Sequence, residues 1–224
     1  MSVPVQSLHF ADASEAEDLA AFLARLIHYD RAAAVRLQAG SGALAVFGRP
    51  PSFEVLAIRT ARLGGPVELD VTVSAGELLE SLGGESGAEF TVPAPVTGPP
   101  WAGLLPPRGG WRELSGLPEV TAMRGAVAAA VAEFRTRDEQ LPAERRTRAE
   151  RDRIGREIWS RTVGTTGLPL RAVHAAQSLG FLRPGVPVAL LSTGAWLRLR
   201  TPFGSIAVRT HGLGGLSVTP TRHG

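Results

Sequence analysis

Apolar residues recur in two rhythms along this chain, and the alternation between them predicts its elements. Leu19, Phe22, Leu23, Leu26 and Ile27 lie one helical turn apart and form a single stripe within "ASEAEDLAAFLARLIHY". A helix is expected there, opened by a capping box of Ser14 and Glu17. The acids Asp12, Glu15, Glu17 and Asp18 sit at its positive end, where they stabilise the dipole rather than form a metal or acid–base pair. The stretch "VPVQSLHF" before it reads as a strand. After it, "AAVRLQA", "ALAVFG" and "FEVLAIRT" read as three strands broken by "GSG" and "RPPS". "VELDVTV" adds a fourth strand and "SAGELLESL" a short helix.

Regular patterning then stops. Residues 83–111 are dense in Gly and Pro and predict a linker or an extended crossover. Helical rhythm returns in "LPEVTAMRGAVAAAVAEFRTR", with Pro118 in the first turn and an apolar stripe of Met123, Val127, Val131 and Phe134. A second helix is expected from Pro142 to Arg161, laced by pairs four residues apart such as Glu144–Arg148, Asp152–Arg156 and Glu157–Arg161. "LPLRAVHAAQSLGFL" predicts a third. "VPVALLS", "AWLRLRT", "SIAVRT" and "LSVT" complete the pattern as strands.

One motif occurs twice. "AIRTARLGG" begins at Ala57 and "AVRTHGLGG" at Ala207. Gly42-Ala43-Leu44 likewise echoes Gly194-Ala195-Trp196. Each copy runs helix, strand, glycine turn, strand, proline turn, strand, so the expected fold is α+β and internally duplicated. Two antiparallel β units in pseudo-twofold relation would carry the helices packed on them, with Arg59 and Arg209 at matching positions. The expected division is an acidic N-terminal α+β repeat over 1–90, a Gly/Pro-rich linker over 91–116, and a helical segment plus basic C-terminal β repeat over 117–224.

Composition narrows the chemistry. The 224 residues contain no Cys, Lys or Asn, and all 24 basic residues are Arg. A GC-rich genome accounts for that bias. Schiff-base or P-loop lysine chemistry, cysteine nucleophiles, disulfides and thiolate metal sites are excluded. The pI near 10.7 reflects the scarcity of groups titrating between His and Arg, since the net charge is only +3. The distribution says more. Residues 1–90 hold 6 Arg and 12 acids, residues 91–224 hold 18 Arg and 9 acids, and no acid follows Glu157. Such asymmetry predicts an anionic partner or docking of one half on the other. No apolar run is long enough to span a membrane, and the N-terminus has no basic segment followed by an apolar core, so a cytoplasmic protein is expected.

Catalytic signatures are missing: no G-x-S-x-G, no H-E-x-x-H and no metal-type histidine pair. No catalytic residue, cofactor or metal is assigned. His9, His28, His174, His211 and His223 are scattered, and "GLGGLS" at Gly212 reads as a turn. The Arg-rich helix from Glu144 to Arg161 reads as a solvated, salt-bridged face. The strand "AWLRLR" is the sharper candidate. Alternation places Trp196, Arg198 and Arg200 on one face, an aromatic among guanidiniums suited to anions or stacked bases. Three helices followed by a hairpin also resemble a winged helix, with Arg171 and His174 exposed on the last helix. The reading is therefore a non-enzymatic binding protein, regulatory or scaffolding, that engages a protein partner or itself. A nucleic-acid binder using the basic half is the alternative, and an enzyme with a dispersed Asp/Glu/His site the third.

Overall fold

A computed structural model describes residues 6–51, 53–83 and 88–210. The expected strand "LSVT", the glycines from Gly212, His211 and His223 lie outside them, as does the start of "VPVQSLHF". The order is β1 (Ser7–His9), α1 (Ala13–Tyr29), β2 (Ala34–Gly40), β3 (Ala43–Gly48), β4 (Leu56–Arg62), β5 (Leu69–Ser74), α2 (Ala75–Ser81) and β6 (Glu89–Thr91). There follow β7 (Arg112–Leu114), α3 (Val120–Glu139), α4 (Arg148–Trp159), α5 (Leu170–Ser178), β8 (Ala189–Thr193), β9 (Trp196–Thr201) and β10 (Gly204–Arg209).

The chain is α+β and internally duplicated. The unit α1-β2-β3-β4 recurs as α5-β8-β9-β10, each a helix followed by an antiparallel three-stranded meander. The two meanders join through β4 and β10, so one eight-stranded sheet runs β5-β2-β3-β4-β10-β9-β8-β7. Each half thus contributes to a shared sheet instead of closing its own. The outermost strands break the symmetry, because β5 follows its meander in the chain and β7 precedes its own. A small pair, β1 with β6, stands apart.

The repeated letters are not the structural repeat. The tight turns at Ser41-Gly42 and Gly194-Ala195 coincide, with Gly40 opposite Ala43 and Thr193 opposite Trp196. Both residues of the first turn have positive φ, the geometry that matches the twist of the strands it joins. From there Leu44 corresponds to Leu197, Val46 to Leu199 and Gly48 to Thr201; Gly48 pairs with Ala57 and Thr201 with Gly204. Arg59 therefore matches Ile206, not Arg209. Burial agrees. Ala57 faces the helices and Ala207 the opposite side, while Ile58 and Val208 are reversed. The shared nonapeptide is out of register by an odd number of residues, which turns every side chain over. The pseudo-twofold axis passes through the pair Ile58–Ser205.

Among the described residues, α1 to α5 all lie on one side of the sheet. The stripe on α1 is buried as expected, with Leu19, Phe22, Leu23 and Leu26 at most 1% exposed. Its N-cap is Asp12, whose carboxylate accepts from the Ser14 amide; Ser14 is already inside the helix. Gly48 lets α1 come close, since a Cβ there would stand 2.7 Å from Leu26. Gly204 does the same for Phe181, combining φ of +149° with no room for a Cβ. The helix expected from Pro142 is shorter, an isolated 3-10 turn at Ala143–Arg145 and then α4 capped by Thr147. Of its expected pairs only Glu157–Arg161 forms, at 3.8 Å; Arg148 instead reaches Asp152. The stronger contacts run between helices, from Arg137 to Glu157 and from Arg161 to Glu133.

Candidate functional site

Among the described residues, one segment covers the side of the sheet away from the helices. After β6 the chain runs extended, anchored where the Val96 amide donates to the Thr72 carbonyl on β5, and crosses to β7 at the far edge. A single 3-10 turn at Pro100–Gly103 breaks it. Trp101 and Leu105 press down on Phe47, Leu56, Ile58 and Ala207, forming a second, smaller apolar cluster. This strap is most of the expected linker. The sequence signal for it was present, because two Trp and two Leu within a Gly/Pro-rich stretch are costly to leave in water.

The strap leaves a cleft on either side. One, of about 340 Å³, is floored by Leu56, Ala207 and Trp196 and walled by Trp101 and Leu104. Leu104 is 48% exposed, the most open of the large apolar side chains among the described residues. Arg49 and Arg209 stand at its rim, and neither has an acidic partner among the described residues. Glu54, held at φ of 51°, closes one corner. The other cleft, of about 410 Å³, has an apolar floor of Ala43, Ala45, Phe47 and Ile58 and a wall of Pro106 and Pro107. Arg198 reaches it from one end and Gln38 and Glu68 from the other, and Arg108 lies close enough to Asp70 to lower its pKa. Leu104 faces the first cleft, Leu105 packs down, and Pro106 faces the second.

Alternation does set Trp196, Arg198 and Arg200 on this one face, with Leu197 and Leu199 in the core. Their environments differ. Arg200 is exposed. Trp196 pairs across strands with Arg209. Arg198 is half-buried beneath the strap, its guanidinium 5.7 Å from the Trp111 ring. Burial, and secondarily Arg200, pushes its pKa below the ordinary arginine value.

Arg171 and His174 belong elsewhere. Both lie on α5 in the helical layer and are half-buried, not exposed. His174 stacks on Trp159 at 4.4 Å and meets Phe53 edge-on at 5.0 Å, and burial lowers its pKa. Ala172, Val173, Ala175 and Ala176 on the same helix are core. The hairpin after it is no free wing, since β8 and β9 are held between β7 and β10. The winged-helix geometry is therefore not formed; spacing alone could not reveal that the hairpin would be taken up by a larger sheet. Among the described residues no three His, Asp or Glu side chains converge to hold a metal ion.

Two families match the chain, one to each half. Residues 3–103 match a family described as a domain of unknown function, DUF8010, and residues 106–213 match one described as a domain of unknown function, DUF8185. Their boundary falls inside the strap, so each match contains one copy of the helix-and-meander unit. No curated protein matches the chain.

Proposed function

We propose that this chain is a non-enzymatic binding protein that engages a protein partner through the strapped face of its sheet. The observation that carries the reading is where the two copies differ. Facing the helices they agree: Leu37 with Leu190, Leu44 with Leu197, Val46 with Leu199. On the strapped face Ala43, Ala45 and Phe47 of β3 are answered by Trp196, Arg198 and Arg200 of β9. Core packing penalises change at the first set, whereas the second set has been rebuilt into an aromatic and basic surface.

The smaller cleft fits one occupant best, an extended peptide segment with a large apolar side chain beside acidic residues. The apolar side chain would fill the Trp101–Trp196 floor, and the acids would meet Arg49 and Arg209. Partner capture from the native cell, with nuclease treatment, tests this. A protein should be retained stoichiometrically by the wild type after nuclease digestion and lost with Trp196→Ala and with Arg209→Glu, both checked for an unchanged thermal transition. Retention by both variants would overturn the reading. Loss on digestion, with affinity falling steeply as salt rises, would assign the face to nucleic acid instead.

A further inference from the structure

The cleft beneath Pro106 and Pro107 holds a charge that nothing in the described chain answers. Arg198 forms no ion pair and no hydrogen bond among the described residues, and its Nε is shut off from solvent without an acceptor. Its nearest charged neighbour on the strand, Arg200, has the same sign. A half-buried guanidinium so placed is costly, and Arg198 lines the cleft, where an incoming acceptor can meet it. Trp111 lies against the guanidinium, the contact by which an aromatic ring favours a cation.

We propose that this cleft binds a small organic monoanion: a carboxylate seated on Arg198, carrying an apolar body that lies over Phe47 and Ile58. The volume, about 410 Å³, suits a small molecule, and Ala43, Ala45, Phe47 and Ile58 make the floor mainly apolar, with Thr60 beside Ala45. Charge at the far end favours a ligand with a single negative group. Glu68 lines that end, and Asp70 nearby is already engaged by Arg36 at 2.8 Å and Gln38 at 3.2 Å. A ligand with a second negative group at its far end would meet Glu68, whereas one carboxylate held at the Arg198 end stays clear of it. The site lies on the other side of the strap from the peptide cleft, so it goes beyond the partner reading and is tested separately.

Phenylacetate, its neutral analogue phenylacetamide and inorganic phosphate serve as probes on the full chain, followed by nitrogen–proton NMR of the arginine Nε–H groups. Phenylacetate should bind saturably and shift the Arg198 Nε–H resonance, identified by its absence from Arg198→Lys. The amide should not. Arg198→Gln should weaken phenylacetate binding about tenfold or more, the loss of a charge-assisted pair, while Arg209→Gln in the other cleft leaves it unchanged. If the Arg198 variants do not fold, the comparison of acid with amide on the wild type still decides. Equal binding of acid and amide, tighter binding of phosphate, or no saturable binding of phenylacetate would each overturn the proposal. Failure of partner capture would leave these outcomes untouched.

Discussion

Among the described residues, Arg59 is the one arginine whose side chain is nearly closed to solvent by partners from both halves of the chain. Its side chain is 8% exposed; it donates to Asp18 of α1 at 2.6 Å and to the Phe203 carbonyl between β9 and β10 at 2.7 Å. Arg209, at the echoed place in the sequence, is exposed on the strapped face. Arg59→Ala is therefore expected to lower stability by about 2 kcal/mol or more, from charge-assisted hydrogen bonds lost in a buried setting. Arg209→Ala should change it by less than about 0.5 kcal/mol, as exposed substitutions do. Denaturant unfolding of the two variants checks this; equal losses would restore the correspondence suggested by the repeated letters. At this scale the sequence told faces well where a strand alternates, as for Trp196, Arg198 and Arg200. It did not tell which side of the sheet a repeated motif would present. Ala-Ile-Arg-Thr is a strand on either face, and only the turn lengths decide. The burial of His174 is not legible for a related reason, because the aromatics that bury it, Trp159 and Phe53, come from other elements.

Among elements, the pairing of α3 with α4 and the residues that follow it is strongly electrostatic. Glu133 on α3 accepts from Arg161 at 2.7 Å and Arg137 reaches Glu157 with two contacts of 2.8 Å. The hydrogen bond from Arg161, and after it that from Arg137, lowers the Glu133 pKa to about 2 from 4.5. A carboxylate depressed in the folded state contributes stability that is present above its unfolded pKa and is lost as pH falls through its folded one. The contribution of Glu133 should therefore fade between pH 4.5 and about 2. Thermal midpoints of wild type and Glu133→Gln should differ at neutral pH and converge across that window. A constant difference would mean that the carboxylate's charge is not what Arg161 holds. The expected salt-bridged character of the Arg-rich helix was legible from its composition. The partners were not, because spacing reveals pairs within a helix, whereas here α3 supplies the closer partners.

For the whole molecule, the question is whether the two halves are neighbours or one body. Two matched families and two helix-and-meander units describe a chain in two parts. Yet β4 and β10, the last strand of each unit, pair with each other through Ser205–Ile58, Ile206–Ala57 and Ala207–Leu56. Apolar clusters cover this seam on both sides, with Ala57 and Ile206 under the helices and Leu56 and Ala207 under the strap. Nothing in the letters announces such a junction, because backbone groups make it and any two strands with matching faces suffice. It has a measurable consequence. In independent halves β4 and β10 would each be an edge, with one row of amides open to water. In a shared sheet they are its centre, and β5 and β7 are the edges. Native-state hydrogen exchange on the full chain should find the β4 and β10 amides among the slowest, opening only with global unfolding, while β5 and β7 exchange through smaller openings. Fast exchange at Ile58 and Ile206 with slow exchange at Leu44 and Leu199 would divide the sheet at its axis and make the chain two domains in contact.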